Sequence, residues 1–213
     1  MLKADSVVDW SNANPDQLNP EFRRRWIWEA SNVSDETLQD LWARLLAGEL
    51  EAPGSVSNDT MSIARDLTKE RAEEFQILCS ATLCSSDGVP IIVVGCGQPG
   101  ANSLQPFGLS YNVLMRLAHH RLIVSSMNSR LNLPLDPSEH TILVRHQELS
   151  LTLRWPDCEG RSDAPPPIRG IMFTPAGEEL FAVVEKIPVP DYREAVLEFL
   201  EAEGWVANPV AER

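Results

Sequence analysis

The chain has little with which to cross a membrane, staple itself with disulfides or grip a polyanion. Its longest β-rich apolar run, Ile91-Ile-Val-Val-Gly95, spans five residues, against the roughly 20 that a bilayer-spanning helix needs. No membrane association is expected. The N-terminus Met1-Leu-Lys-Ala-Asp-Ser6 is polar and has no apolar signal core, so a bacterial or phage cytoplasm is the expected location. Four cysteines, Cys79, Cys84, Cys96 and Cys158, include no C-x-x-C pair. Reduced, buried thiols are expected in place of disulfides or a zinc site. Cations are scarce as well: 18 Lys and Arg face 31 Asp and Glu, for a net charge of -13. A phosphate backbone repels a protein with that balance, which argues against non-specific nucleic-acid binding by the whole molecule.

Catalytic motifs are missing too. Neither a Ser-His-Asp order with an elbow motif nor a phosphate loop occurs. The carboxylates lie beside Lys and Arg on helical faces, as in Lys69-Glu-Arg-Ala-Glu-Glu74, which is the ordinary solvated surface of a helix. Gly95-Cys-Gly-Gln-Pro-Gly100 fits G-x-G-x-x-G only as a string. The dinucleotide motif needs a helix opening at its last Gly and an acid about twenty residues on. Here Pro99 precedes that Gly, and no Asp or Glu falls between Asp87 and Asp136. The pair His119-His120 cannot hold one metal from a regular helix, because neighbours point about 100° apart. A helix C-terminus, where partly charged His meets the negative dipole end, suits it better. His140 and His146 are expected to decorate a strand. No enzyme activity, no metal and no cofactor is expected.

What is present is the composition of a folded globular chain, 43% apolar with six Trp. Asn19-Pro20-Glu21 supplies an N-cap, a Pro at the first helical position and an acid in the first turn. The helix that follows, about 20–31, has Phe22, Trp26 and Ala30 at spacing four with Ile27 beside them, giving one buried face. Ser34-Asp35-Glu36 opens a second helix carrying Leu38, Leu41, Trp42, Leu45 and Leu46, with Gly48 as its stop. Ser57 caps a short third helix that ends near Leu67. Thr68 caps a fourth, about 69–84, with Ala72, Phe75, Gln76, Leu78 and Cys79 on its inner side. Residues 1–86 therefore read as a helical bundle.

Further along, Ile91–Gly95 reads as a strand, and Ser110 caps a helix whose stripe is Val113, Leu114, Leu117 and Ala118. Leu122–Ser126 reads as a strand and Pro134-Leu-Asp-Pro137 as a turn. Thr141–His146 and Leu149–Trp155 suit a tight hairpin joined by Gln147-Glu148. Leu149, Leu151 and Leu153 alternate with Ser150, Thr152 and Arg154, the mark of a sheet with one dry face. After the Pro-rich stretch from Cys158 to Pro167, a strand returns at Arg169–Phe173. Thr174-Pro175 then opens a helix of about 175–184. Asp191-x-x-Glu194 resembles a capping box for a last helix, about 192–203, closed by Gly204. Helix, strand, hairpin, strand, helix is the order of a winged helix, a device for contacting DNA or protein. The expected architecture is α+β: a helical bundle, 1–86, packed on a winged-helix-like domain, 87–190, with a small antiparallel sheet, then a C-terminal helix and tail, 191–213.

Several segments resemble a known family. Leu41-Trp-Ala-Arg-Leu-Leu-Ala-Gly-Glu-Leu50, Pro53-Gly54-Ser55, Leu67-Thr-Lys-Glu-Arg-Ala-Glu-Glu-Phe75 and the later Gly-Leu-Ser, Leu-Ile and Thr-Pro-Ala-Gly-Glu-Glu-Leu pieces are similar, in the same order, to bacterial domain-of-unknown-function family number twenty-eight-oh-six. The likeness runs from about residue 15 to 203. It implies a fold and a cytoplasmic setting, and no activity.

Charge is unevenly placed. Residues 1–86 carry 8 Lys and Arg against 15 acids, residues 87–170 carry 7 against 7, and residues 171–213 carry 3 against 9. All seven cations of the middle third are Arg, the side chain best suited to phosphate and carboxylate. The expected function is a non-catalytic protein-interaction or regulatory module that self-associates or meets a protein partner, with Arg23, Arg24, Arg25 and Trp28 as contact residues. The alternative is a sequence-specific DNA-binding regulator. It would use the helix Ser110–His120, with Tyr111, Asn112, Met115, Arg116 and His119 off the apolar stripe, and Asn and Arg to read base edges. Arg145, Arg154, Arg161 and Arg169 would then reach the phosphates. The acidic flanks disfavour it.

Overall fold

Side-chain caps set the first four helix starts. In the computed structural model, which describes residues 18–93, 102–127, 129–131, 135–136, 140–147, 149–155, 168–202 and 204–209, Asn19 accepts from the backbone N–H of Glu21 at 2.8 Å and opens α1 (Pro20–Ser31). Asp35 accepts from Thr37 and Leu38 and opens α2 (Glu36–Glu51). Ser57 and Thr68 do the same for α3 (Asn58–Asp66) and α4 (Lys69–Ser80). Each cap satisfies an N–H that the helix itself leaves open, a contribution of about 1 kcal/mol. The turn between α2 and α3 is closed by a buried carboxylate: Glu49 accepts from Gly54 N at 2.7 Å and Val56 N at 3.0 Å. Phe22, Trp26 and Ala30 are buried on α1, and the Trp26 indole N–H donates to Trp42 O at 2.8 Å, fixing α1 on α2.

Three expectations for the bundle are corrected. Helix α2 runs past Gly48 to Glu51. Gly48 is a point of close approach, since a Cβ there would lie 2.6 Å from Val183 Cγ1. Ile27 is 55% exposed, because it lies one residue, and so about 100°, from Trp26 and falls off the stripe. Helix α4 ends at Ser80, where Ser80 Oγ donates to Gln76 O and Thr82 Oγ1 to Leu78 O. The residues after it join the sheet instead of the helix.

Among the described residues the sheet has seven strands: β1 (Leu83–Ser85), β2 (Pro90–Val93), β3 (Ser129–Leu131), β4 (Thr141–His146), β5 (Leu149–Arg154), β6 (Ile168–Ile171) and β7 (Val206–Pro209). They run in the order β3-β6-β2-β1-β4-β5-β7, and every pairing is antiparallel. The β4–β5 hairpin forms in the expected register, with Val144 opposite Leu151 and Gln147 at φ 53 in its turn. Ile142, Val144, Leu151 and Leu153 are buried while Leu143, Arg145 and Arg154 face out. The protein is thus α+β, with four bundle helices ahead of an antiparallel sheet.

The sheet is wider than the small one expected, and its connectivity differs. The hairpin does not pair with the returning strand. β6 lies between β3 and β2, whereas β4 and β5 lie on the other side of β1. The cause is the β1–β2 pair, which was read as helix end and lone strand. Its β1 edge takes β4, with Cys84 opposite Arg145, while its β2 edge takes β6, with Ile92 opposite Ile171. The expected strand Leu122–Ser126 is reduced to an Ile123–Phe173 bridge and the Val124 N to Met172 O bond. The strings Gly95–Gly100, Pro134–Pro137 and Cys158–Pro167 fall wholly or mostly outside the described residues.

Three further helices are α5 (Tyr111–His119), capped by Ser110; α6 (Pro175–Val183), capped by Thr174; and α7 (Tyr192–Ala202). Asp191 is not the expected N-cap. It sits at φ 60, outside the extended range of a capping residue, and Glu194 is held by Arg193 at 2.5 Å. Gly204, at φ 96, does close α7, with Trp205 N bonding to Leu200 O. Helix α6 packs on α2 and α3. Phe173 meets Phe75 of the bundle at 5.9 Å and Phe181 of α6 at 5.3 Å. One cluster of buried hydrophobics therefore runs from Leu18 to Trp205. Among the described residues, no helix is long and apolar enough to cross a membrane.

His146 does more than decorate its strand. It is buried, its Nε2–H donates to Ser80 O at 2.9 Å and its ring lies 5.1 Å from that of Tyr192. Burial pushes its pKa down, with Arg193 adding to the effect and the Ser80 bond and Glu194 opposing it. Neutral His146 is therefore the native form, and the unfolded chain binds a proton that the folded chain does not. Stability from this group is complete above the unfolded pKa, about 6.5, and is lost as pH falls through the lower folded value. The urea midpoint should drop between pH 7.5 and 5, and His146→Phe should flatten that dependence; equal slopes in both proteins would refute the assignment. A second test concerns Gly177, where a Cβ would lie 1.9 Å from Leu122 O, a backbone atom that cannot step aside. Gly177→Ala should cost about 3 kcal/mol in chemical denaturation, and an unchanged midpoint would contradict this packing.

Candidate functional site

Helix α5 presents the face expected of it. Val113, Leu114 and Leu117 are buried, while Tyr111 (59%), Asn112, Met115 (40%), Arg116 and His119 are exposed. What the face can do is limited by α4, packed beside it. Arg116 donates to Glu74 Oε1 at 2.5 Å, and the other oxygen of Glu74 accepts from Arg71 at 2.5 Å. Arg71 also pairs with Glu70 at 2.7 Å. The bond to Glu74 raises the Arg116 pKa and fixes its charge. The only Lys or Arg of α5 is thus neutralised by a neighbour, and any phosphate would compete with two carboxylates. His119 and His120 lie at the helix end with rings 5.8 Å apart and nearly perpendicular. Burial and then His119 lower the His120 pKa. Among the described residues, no group of three His, Cys, Asp or Glu could hold a metal ion.

Among the described residues, the other cations of the DNA reading come from the sheet. Arg145 and Arg154 are exposed on β4 and β5, on the far side of β1 and β2 from β3, the strand that follows α5. Arg169 lies on β6, and Arg161 is outside the described residues.

On α1 the sequence-derived residues do come together. At about 100° per residue, Arg23, Ile27, Arg24 and Trp28 follow one another round one arc opposite the buried stripe. All four are exposed, Trp28 to 71%. Arg25 is set apart, half-buried, donating to Asn58 Oδ1 at 3.1 Å and Ser62 Oγ at 2.7 Å on α3.

A third feature had no signature in the sequence. A cleft of about 1190 Å³ opens between the β1–β2 turn, the β4–β5 turn and the segment joining α6 to α7. Cys84, Arg145, His146, Phe181, Lys186 and Arg193 are among its lining residues. The Lys186 ammonium donates to Phe181 O and, at 2.8 Å, to Val184 O, ending α6, and lies 4.1 Å from the centre of the Phe181 ring. Burial pushes its pKa down. Burial pushes the Cys79 and Cys84 thiols up, which favours the reduced, uncharged form expected for them. The lining comes from segments over a hundred residues apart, so no spacing could have announced it. The one sequence hint is Lys186 just ahead of the Pro-rich connector Ile187-Pro-Val-Pro190, in a chain whose cations are mostly Arg.

Comparison with curated proteins and with solved structures returns no match. Residues 2–197 match the family described as Protein of unknown function (DUF2806), and the chain belongs to that family.

Proposed function

We propose that the protein is a non-catalytic interaction module of a regulatory kind, acting in a bacterial cytoplasm and docking through the α1 arc onto an acidic protein surface. The observation that carries this reading is Trp28, 71% exposed beside the equally outward Ile27, Arg23 and Arg24. Trp and Arg are the side chains that most often dominate binding energy at interfaces. An apolar ring flanked by two cations suits a partner that offers carboxylates around a shallow hydrophobic spot. A second copy could supply such a surface, because residues 171–213 carry 9 acids against 3 cations.

The DNA-reading alternative has less behind it. Arg116 is held by Glu74, and the hollow beside α5 is lined by Glu70 as well as by Arg71 and Asn112.

Sedimentation or light scattering of the purified protein, alone and with the components expressed beside it, should show a species heavier than the monomer. Trp28→Ala combined with Arg24→Glu should weaken that association by a factor of about 30 or more, since a hot spot of this kind is worth at least about 2 kcal/mol. A monomer that nothing joins, or an association indifferent to both changes, would remove the proposal. With random duplex at low salt no mobility shift is expected. A shift abolished by Arg116→Ala with Asn112→Ala would replace this reading with the DNA one.

A further inference from the structure

The cleft beside the β4–β5 turn holds an ammonium that rests on two carbonyls and an aromatic ring and, among the described residues, on no carboxylate. A lysine ammonium has three N–H donors, and Lys186 uses two on the carbonyls of Phe181 and Val184. Burial lowers its pKa. A second cation, Arg145, stands opposite Cys84 across the β1–β4 pair and lines the same cleft. Arg145 comes from β4 and Lys186 from the end of α6, so the two approach from different walls of one cavity. The acids that line the cleft, Asp87, Glu178, Asp191 and Glu194, are all exposed, where water screens them, and Glu194 is already paired with Arg193. A half-buried ammonium is costly when it lacks a counter-charge. An apolar floor is also present in Phe181, Val189 and Pro190.

We propose that this cleft binds a small oxyanion, a carboxylate or a phosphate carried on an apolar body, with the anion between Lys186 and Arg145 above the Cys84 thiol and the body against Phe181. The site is separate from the α1 arc and stands or falls without it.

Cys84 supplies the readout. It is half-buried in the cleft wall, whereas Cys79 is fully buried behind it. The full-length protein is treated with iodoacetamide at pH 8.5, and alkylation at Cys84 is followed by mass spectrometry with inorganic phosphate, with benzoate, or with sodium chloride at the same ionic strength. The rate falls as 1/(1 + [L]/Kd), so a probe at about ten times its Kd should slow it by about tenfold. Phosphate protection alone assigns a phosphate site, and benzoate protection alone a carboxylate borne on a ring. Arg145→Gln, on an outward strand position, should restore the unprotected rate without altering the melting temperature. Lys186→Met should do so too, though it also removes the helix-ending bonds. Trp28→Ala should leave protection unchanged. An unaltered rate with both probes, equal slowing by sodium chloride, or protection that survives Arg145→Gln would overturn the proposal.

Discussion

Helix α6 can join the bundle to the sheet only because two neighbours approach where no side chain intervenes. On one side Val183 presses against Gly48 of α2; on the other, the first turn of α6 sits on the Leu122 carbonyl at Gly177. The same carbonyl accepts from Thr174 N at 3.1 Å, and Thr174 in turn caps Gly177. A third tie runs to α3, where Glu179 accepts from Ser57 N and Thr60 Oγ1, each at 2.6 Å. A charged side chain here completes the N-terminus of another helix, so the bundle and α6 cannot separate without exposing backbone donors. Ala176, Leu180 and Phe181 then fill the space between layers. Close-packed interiors transmit such constraints, and the cleft exists because α6 ends at a fixed place, with Lys186 folded back over its last carbonyls.

Much of this was written locally. Asn19, Asp35, Ser57, Thr68, Ser110 and Thr174 mark helix starts because a cap needs only a short polar side chain and the next three residues. The β4–β5 hairpin was legible for the same reason, its alternation and two-residue turn both lying within fifteen residues. The failures share the opposite character. Gly48 looks like a helix stop because glycine often is one, and only Val183, 135 positions away in sequence, shows that the glycine is there for close approach. Leu83 to Ser85 extends a helical pattern until Ile91 offers a strand partner. The place of β6 in the sheet depends on which of several strands reaches the β2 edge, a choice no single segment encodes.

The α5 face shows how the same limit governs function. Tyr111, Asn112, Met115, Arg116 and His119 were correctly placed on one exposed arc, because helical geometry alone decides that. Whether the arc attracts phosphate was decided by Glu74, 42 residues earlier, which both Arg116 and Arg71 contact. A carboxylate at 2.5 Å from a guanidinium cancels its field at longer range. The neutral charge count of the middle third therefore overstates what α5 offers an anion.

The α1 arc and the cleft differ in the kind of recognition that each permits. At α1, Arg23 and Arg24 are exposed and form no ion pair among the described residues, so in the proposed docking they would steer and orient a partner while Trp28 provides the area that water would leave. In the cleft the positive charge is already half out of water, and the desolvation that a ligand would otherwise have to overcome was met when α6 folded. An exposed arc suits a large surface that arrives with its own complementary charge. A pre-desolvated ammonium suits a small anion, which has too few atoms to offset much desolvation of its own. If both proposals hold, one chain carries two sites of different character, and a partner contact that responds to a small molecule follows from linking them. Such a link would require the cleft ligand to bind two states of the α1 surface with different affinity. The route for it would be α6, which touches the cleft at Phe181 and the bundle at Gly48.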